Sequence, residues 1–159
     1  MRKFEKISFK QFKKDIKDDK ELYNSFSLPK RKTKYSGGYD IMSLIEYVLL
    51  PGESKVIPTG LKSEFSDDEF LMIVIRSSLG FKYGIKLANQ VGIIDADYYN
   101  NEDNEGHILV KLENTGKEVF KINIGDRIAQ GIFLKYNIVD DEEDIKNKRK
   151  GGIGSTTGA

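Results

Sequence analysis

The chain of 159 residues has no cysteine and no tryptophan, one histidine and three prolines. The missing cysteine excludes a disulfide scaffold, a thiolate zinc site and a cysteine nucleophile. Long apolar runs are missing as well. The longest, Phe70 to Ile75, has six residues, against the roughly 18 that a membrane-spanning helix needs. Met1-Arg2-Lys3-Phe4-Glu5 leads into no signal-like hydrophobic stretch. A soluble, cytoplasmic protein without a membrane partner is the expectation. At roughly 150 residues per domain, the length allows one compact domain with one core.

Net charge is also nearly absent, at +1, but the balance is uneven. Residues 1–34 carry 12 Lys/Arg against 5 Asp/Glu, a net of +7, and residues 35–159 carry 14 against 20, a net of −6. The basic excess peaks at Pro29-Lys30-Arg31-Lys32-Thr33-Lys34, which reads as a solvated connector. A mildly acidic body makes nucleic acid an unexpected partner.

Along the chain, residues 8–19 read as a short helix, because Ser8 and Gln11 have capping-box spacing and Phe9, Phe12 and Ile16 share a face. A loop is expected from Tyr23 to Ser36. Beyond Gly38 the pattern changes to short β segments. Phe70 to Ile75 suits a strand buried on both faces, Ile108, Val110 and Leu112 alternate with His107, Leu109, Lys111 and Glu113 in a mostly two-residue period, and Phe120 to Ile124 and Ile128 to Tyr136 read as further strands. Pro51-Gly52, Asn114-Thr115-Gly116 and Gly125-Asp126 supply turns. The expectation is an all-β sandwich or barrel over residues 35–145, with the 1–34 leader packed on it. Residues 146–159 form a glycine-rich arm that has too little apolar surface to hold itself folded.

Four segments carry chemistry. Arg76-Ser77-Ser78-Leu79-Gly80 follows the most apolar strand, where a turn can aim a guanidinium, hydroxyls and backbone N–H groups at one anion. Asn89 to Tyr98 contains Asp95, a carboxylate that emerges from a packed strand and is a general-base candidate. Gly125 to Phe133 offers the Gln130 amide. The arm combines Lys148, Arg149 and Lys150 with Gly151-Gly152-Ile153-Gly154-Ser155-Thr156, a composition suited to wrapping a polyphosphate. No set of transition-metal ligands stands out, and His107 reads as structural.

Together with Gly38-Tyr39-Asp40-Ile41, these segments resemble, in order and spacing, the five motifs of the homotrimeric dUTP pyrophosphatases (dUTPases), over about residues 37–157. The resemblance implies a jelly-roll-like β fold and a trimer whose sites are shared between chains, each arm closing over a neighbour. It implies dUTP as substrate, hydrolysed to dUMP and pyrophosphate. By residue, it implies that Asp95 activates the attacking water. Asn89, with main chain through Gly92, reads the uracil edge. Tyr98 packs on the deoxyribose. Arg76, Ser77, Ser78 and Gln130 hold the phosphates. Arg149, Gly154, Ser155 and Thr156 cap them, with Ile153 over the base. Asp40 helps to place Mg²⁺ through water.

The chain departs from the family pattern in three places. The phosphate-binding arginine of the last motif has no unique match among Lys148, Arg149 and Lys150, and Arg149 is assigned by residue type. Ile153 stands where an aromatic residue is usual, and Tyr99-Asn100-Asn101-Glu102-Asp103-Asn104-Glu105 precedes Gly106 where Arg-Gly commonly follows the tyrosine. The competing expectations are a dCTP deaminase of the same fold and a catalytically silent binding or regulatory module.

Overall fold

The computed structural model describes residues 1–154. In chain order its elements are β1 (Lys3–Lys6), α1 (Phe9–Asp15), α2 (Lys20–Ser25), β2 (Tyr39–Met42), β3 (Tyr47–Leu49), β4 (Ser54–Pro58), β5 (Leu61–Glu64) and β6 (Glu69–Ile75). There follow α3 (Ser77–Tyr83), β7 (Ile85–Leu87), β8 (Gly92–Asp95), one 3₁₀ turn at Ala96–Tyr98, β9 (Leu109–Asn114), β10 (Phe120–Ile122) and β11 (Arg127–Lys135). All pairings given by these strands are antiparallel, in the sheets β1-β5, β10-β3, β2-β11-β6-β8 and β4-β9-β7. This is the all-β, jelly-roll-like architecture expected. None of the described helices is long and apolar enough to cross a membrane.

Strands this short are stable only because they share one apolar interior. Ile41, Leu49, Ile57, Leu71, Ile85, Leu112 and Ile122 are fully buried in it, drawn from seven strands and three of the four sheets. The apolar run in β6 behaves differently from expectation. Leu71 and Ile73 face the core, but Phe70, Met72 and Val74 on the opposite face stay half-buried in a single chain, because successive strand side chains point to opposite sides.

The leader is more structured than its sequence suggested. Lys3 to Lys6 form a strand paired with β5, Lys3 opposite Glu64 and Lys6 opposite Leu61. The expected helix over 8–19 is broken in two. Ser8 caps α1, accepting from the Gln11 N–H at 3.1 Å, but the helix stops at Asp15. Asp19 then starts α2 by accepting from the Leu22 N–H at 2.8 Å, so Tyr23 to Ser25 are helical rather than loop. An aspartate that bonds the backbone three residues on competes with helix continuation and favours a new start. Ile7, Phe12 and Leu44 make a second small cluster, with Phe9, Tyr23 and Phe26 packed around Phe12. The Arg76-Ser77-Ser78 segment is also helical, with Arg76 as N-cap of α3 and Gly84 closing it at φ +66°.

Phe12 is fully buried, so Phe12→Ala should cost about 3–5 kcal/mol of stability. Urea unfolding at fixed protein concentration measures this; a loss below 1 kcal/mol would show that the leader does not share the core's stability.

Candidate functional site

Strand β6 sets the positions of the chemistry-bearing residues. On one side it pairs with β8, Phe70 opposite Asp95 and Ile73 opposite Gly92. On the other it pairs with β11, Val74 opposite Gln130. Gly92 suits this close packing, since a Cβ there would lie 3.0 Å from the Ile73 Cβ. Asp95 ends β8 in extended conformation and the 3₁₀ turn then reverses the chain. The carboxylate is therefore exposed, while the Tyr98 ring, three residues on, is buried.

The turn forms one wall of a cavity of about 370 Å³, lined by Asn89, Gly92, Asp95, Tyr98, Asn104, Arg149, Gly152, Ile153 and Gly154 among others. This volume is within the range of small-ligand sites. Its floor is apolar, from Ile73, Leu87 and Val110, and its rim is polar. Residues far apart in sequence meet here: the 89–98 segment and the arm through Gly154. Ile153 is fully exposed at the rim. Ser155 and Thr156 lie outside the described residues.

Arg149 is the charged link between arm and cavity. Its Nη2 donates to Asp95 Oδ2 at 2.6 Å and its Nε to Asp97 Oδ1 at 2.8 Å, with the arginine side chain only 17% exposed. A guanidinium held by two carboxylates on one rim is a charge-assisted clamp. The contribution of Asp97 was not anticipated; it lies in the 3₁₀ turn that follows β8, and both carboxylates reach the same guanidinium.

A second polar cluster lies at the other end of β6. Asp40 Oδ1 is 3.4 Å from Arg76 Nε and its Oδ2 accepts from Arg127 Nη1 at 3.3 Å. Gln130 is the β11 neighbour of Asp40, and Gly38 packs so closely that a Cβ would be 2.7 Å from Gln130 Oε1. Arg76, Ser77, Ser78, Gln130 and Asp40 are all absent from the cavity that holds Asp95. Six residues of strand separate Phe70, opposite Asp95, from Arg76, roughly 20 Å at 3.3 Å per residue. Within a single chain these residues thus form two separate clusters. Among the described residues, no group of three or more His, Asp or Glu could hold a metal ion.

Behind Tyr98 lies His107, fully buried. Its Nε2 accepts from the Gly60 N–H at 2.9 Å, so Nδ1 carries the proton and faces Asp15 Oδ2 at 2.7 Å. Burial pushes its pKa down and the nearby Asp15 pulls it only part of the way back.

An antiparallel β fold with a carboxylate at the mouth of a small cavity and a glycine-rich arm beside it is the architecture of a β protein with a small-ligand site. Comparison with known proteins sharpens the class. The dUTPase family profile matches residues 24–158. A deoxyuridine 5′-triphosphate nucleotidohydrolase of Lactococcus lactis is 46% identical over 131 residues, 82% of this chain and 87% of that protein. Its counterpart in Haemophilus influenzae is 40% identical over 144 residues, 86% of this chain and 91% of its own. The crystal structure of dUTPase from Streptococcus mutans superposes with a TM-score of 0.71 at 33% identity, covering 86% of this chain and 98% of that one. A dUTPase of phage phi11 of S. aureus, whose structure coordinates a structural Mg(II) ion, shares the fold with a TM-score of 0.67 at 18% identity over 92% and 97% of the two chains. The chain belongs to the dUTPase family.

His107 is the only histidine, so its titration is directly visible by NMR. Its midpoint should fall below the ordinary value of about 6.5. Between the depressed folded value and 6.5 the unfolded chain binds more protons, so the histidine's contribution to stability is present above that window and is lost as pH falls through it. A midpoint above 6.5 would contradict the burial-dominated environment.

Proposed function

We propose that the protein is a dUTP diphosphatase, converting dUTP to dUMP and pyrophosphate. The carrying observation is the meeting of Asp95, Asn89, Gly92 and Tyr98 with the Arg149–Gly154 arm around one cavity. Water gives a proton to the Asp95 carboxylate as its oxygen bonds to the α-phosphorus. The bond from that phosphorus to the bridging oxygen then breaks, and pyrophosphate leaves with the electron pair. Such a reaction needs in-line positioning and charge neutralisation more than covalent help. The Asn89 amide and neighbouring backbone read the uracil edge, and the Tyr98 ring faces the deoxyribose, where it leaves no room for a 2′-hydroxyl.

Phosphates are held by Arg76, Ser77, Ser78 and Gln130, and by Arg149 with Gly154, Ser155 and Thr156 of the arm. The separation of the two clusters supports a homotrimer, in which the Asp95 end of one chain meets the Arg76 end of the next. Arg149 has two roles in sequence. While it bridges Asp95 and Asp97 it neutralises the base; a triphosphate competes for the guanidinium and leaves Asp95 free to accept a proton.

The donor set fits Mg²⁺ only as an ion that arrives on the triphosphate. Asp40 is occupied by two arginines, which suits a carboxylate that reaches the metal through water. When bound, Mg²⁺ neutralises phosphate charge while keeping much of its own hydration.

With dUTP and Mg²⁺ the protein should release dUMP and pyrophosphate, and with dCTP it should release no ammonia. Ammonia from dCTP would shift the reading to deamination, and no turnover of any nucleotide to a binding module. Asp95→Asn should lower kcat about 10²–10⁴-fold while nucleotide binding persists. Truncation after Lys148 should slow turnover and leave the oligomer intact; unchanged rates would remove the arm from the mechanism.

A further inference from the structure

The loop at 99–106, where the chain departs from its family's pattern, is bound into the site rather than carried on the surface. Asn101 is 8% exposed. Its Nδ2 donates to the Tyr98 carbonyl and to Asn104 Oδ1, both at 2.8 Å, and its Oδ1 accepts from the Asp103 and Asn104 N–H groups at 3.0 and 3.1 Å. Asn104 Oδ1 also accepts from the Gly106 N–H at 3.1 Å, and Asn104 Nδ2 donates to the Tyr98 hydroxyl at 2.9 Å. That hydroxyl donates in turn to the His107 carbonyl at 2.6 Å. The phenol is therefore held at its tip, and its backbone carbonyl is held by the same loop.

The grip extends into the leader. His107 is fixed between the Gly60 N–H and Asp15 of α1, and Asp15 Oδ2 accepts from Gln11 Nε2 at 2.8 Å as well. Glu105 binds the Ser8 N–H at 2.9 Å and the Ser8 hydroxyl. The cost of the fold is local: Asn100 and Glu105 both adopt left-handed backbone, at φ +54° and +60°. Non-glycine residues in this region persist where surrounding bonds over-determine them, as they do here.

On the cavity side the same residues receive the arm. A Cβ on Gly152 would lie 3.4 Å from the Tyr98 hydroxyl and 3.7 Å from Asn104 Nδ2, and a Cβ on Gly151 would collide with the Asp103 carboxylate. Asn104 and Tyr98 both line the cavity. A ring that must exclude one oxygen atom can do so only if it does not yield, and the hydrogen bonds behind it remove its freedom to yield.

We propose that Asn104 is a positioning residue for sugar selectivity: with His107 and Asp15 behind it, it locks the Tyr98 ring as the wall that rejects a ribonucleotide. This rests on the dUTP-hydrolysis reading, and the two are separable. Wild-type turnover of dUTP tests that reading; the preference for dUTP over UTP, as a ratio of kcat/KM values, tests this one. The ratio does not depend on the fraction of protein correctly folded.

Asn104→Ala removes the bond to the Tyr98 hydroxyl together with those from Asn101 Nδ2 and the Gly106 N–H, and should lower the ratio about tenfold, mainly through improved use of UTP. Tyr98→Phe removes the hydroxyl on which Asn104 acts, so the double variant should be no less selective than the weaker of the two single variants. Asp15→Ala should lower the ratio, and Asp15→Asn, which can still accept from His107 Nδ1–H, should restore it. A ratio within twofold of wild type for Asn104→Ala, multiplying effects in the double variant, or equal behaviour of the two Asp15 variants would overturn the proposal.

Discussion

The pairing of β6 with β8 on one side and β11 on the other is the constraint from which the site follows. It places Asp95 opposite Phe70 and Gln130 opposite Val74, with Arg76 one residue beyond the strand. The residues proposed as base and as phosphate ligands are thereby held at opposite ends of one rigid strand. Hydrogen bonds of about 3 Å cannot bring both to one triphosphate within a chain. Joining copies of the chain is the simplest geometric solution, and the half-buried outer face of β6, with Met72 and Val74, leaves apolar surface for it.

Charge is organised on the same axis. At one end Asp40 lies between Arg76 and Arg127; at the other Arg149 lies between Asp95 and Asp97. Each arginine set is paired with carboxylates, largely enclosed around Asp40 and about half exposed at Asp95 and Asp97. The leader belongs to this system through Asp15 and Ser8, which reach the loop behind Tyr98. It is structurally part of the wall, where the sequence suggested only a short helix packed on the main domain.

Much of this was legible in the sequence because β strands and turns leave local signatures: the alternation at Ile108 to Leu112, the run at Phe70 to Ile75 and the cap at Ser8. The motif residues Asn89, Asp95, Tyr98, Arg149 and Ile153 do converge on one cavity. What was not legible depends on pairing across long separations. Nothing in Lys3 to Lys6 announces a strand, because its partner β5 lies about 60 residues away. The Asp18-Asp19 break in the leader helix carried a capping signal that could have been read. The Asn101-x-x-Asn104 spacing hints at side chains folding back on the backbone, but its link to Tyr98 and His107 exists only in three dimensions.

The sharing of a site between chains can be measured by complementation. Asp95→Asn and Arg76→Ala variants, each inactive alone, should regain activity when co-assembled in equal amounts. With random mixing in a ring whose sites take Asp95 from one chain and Arg76 from the next, about a quarter of wild-type activity is expected. Activity no greater than that of either variant alone would contradict the shared site.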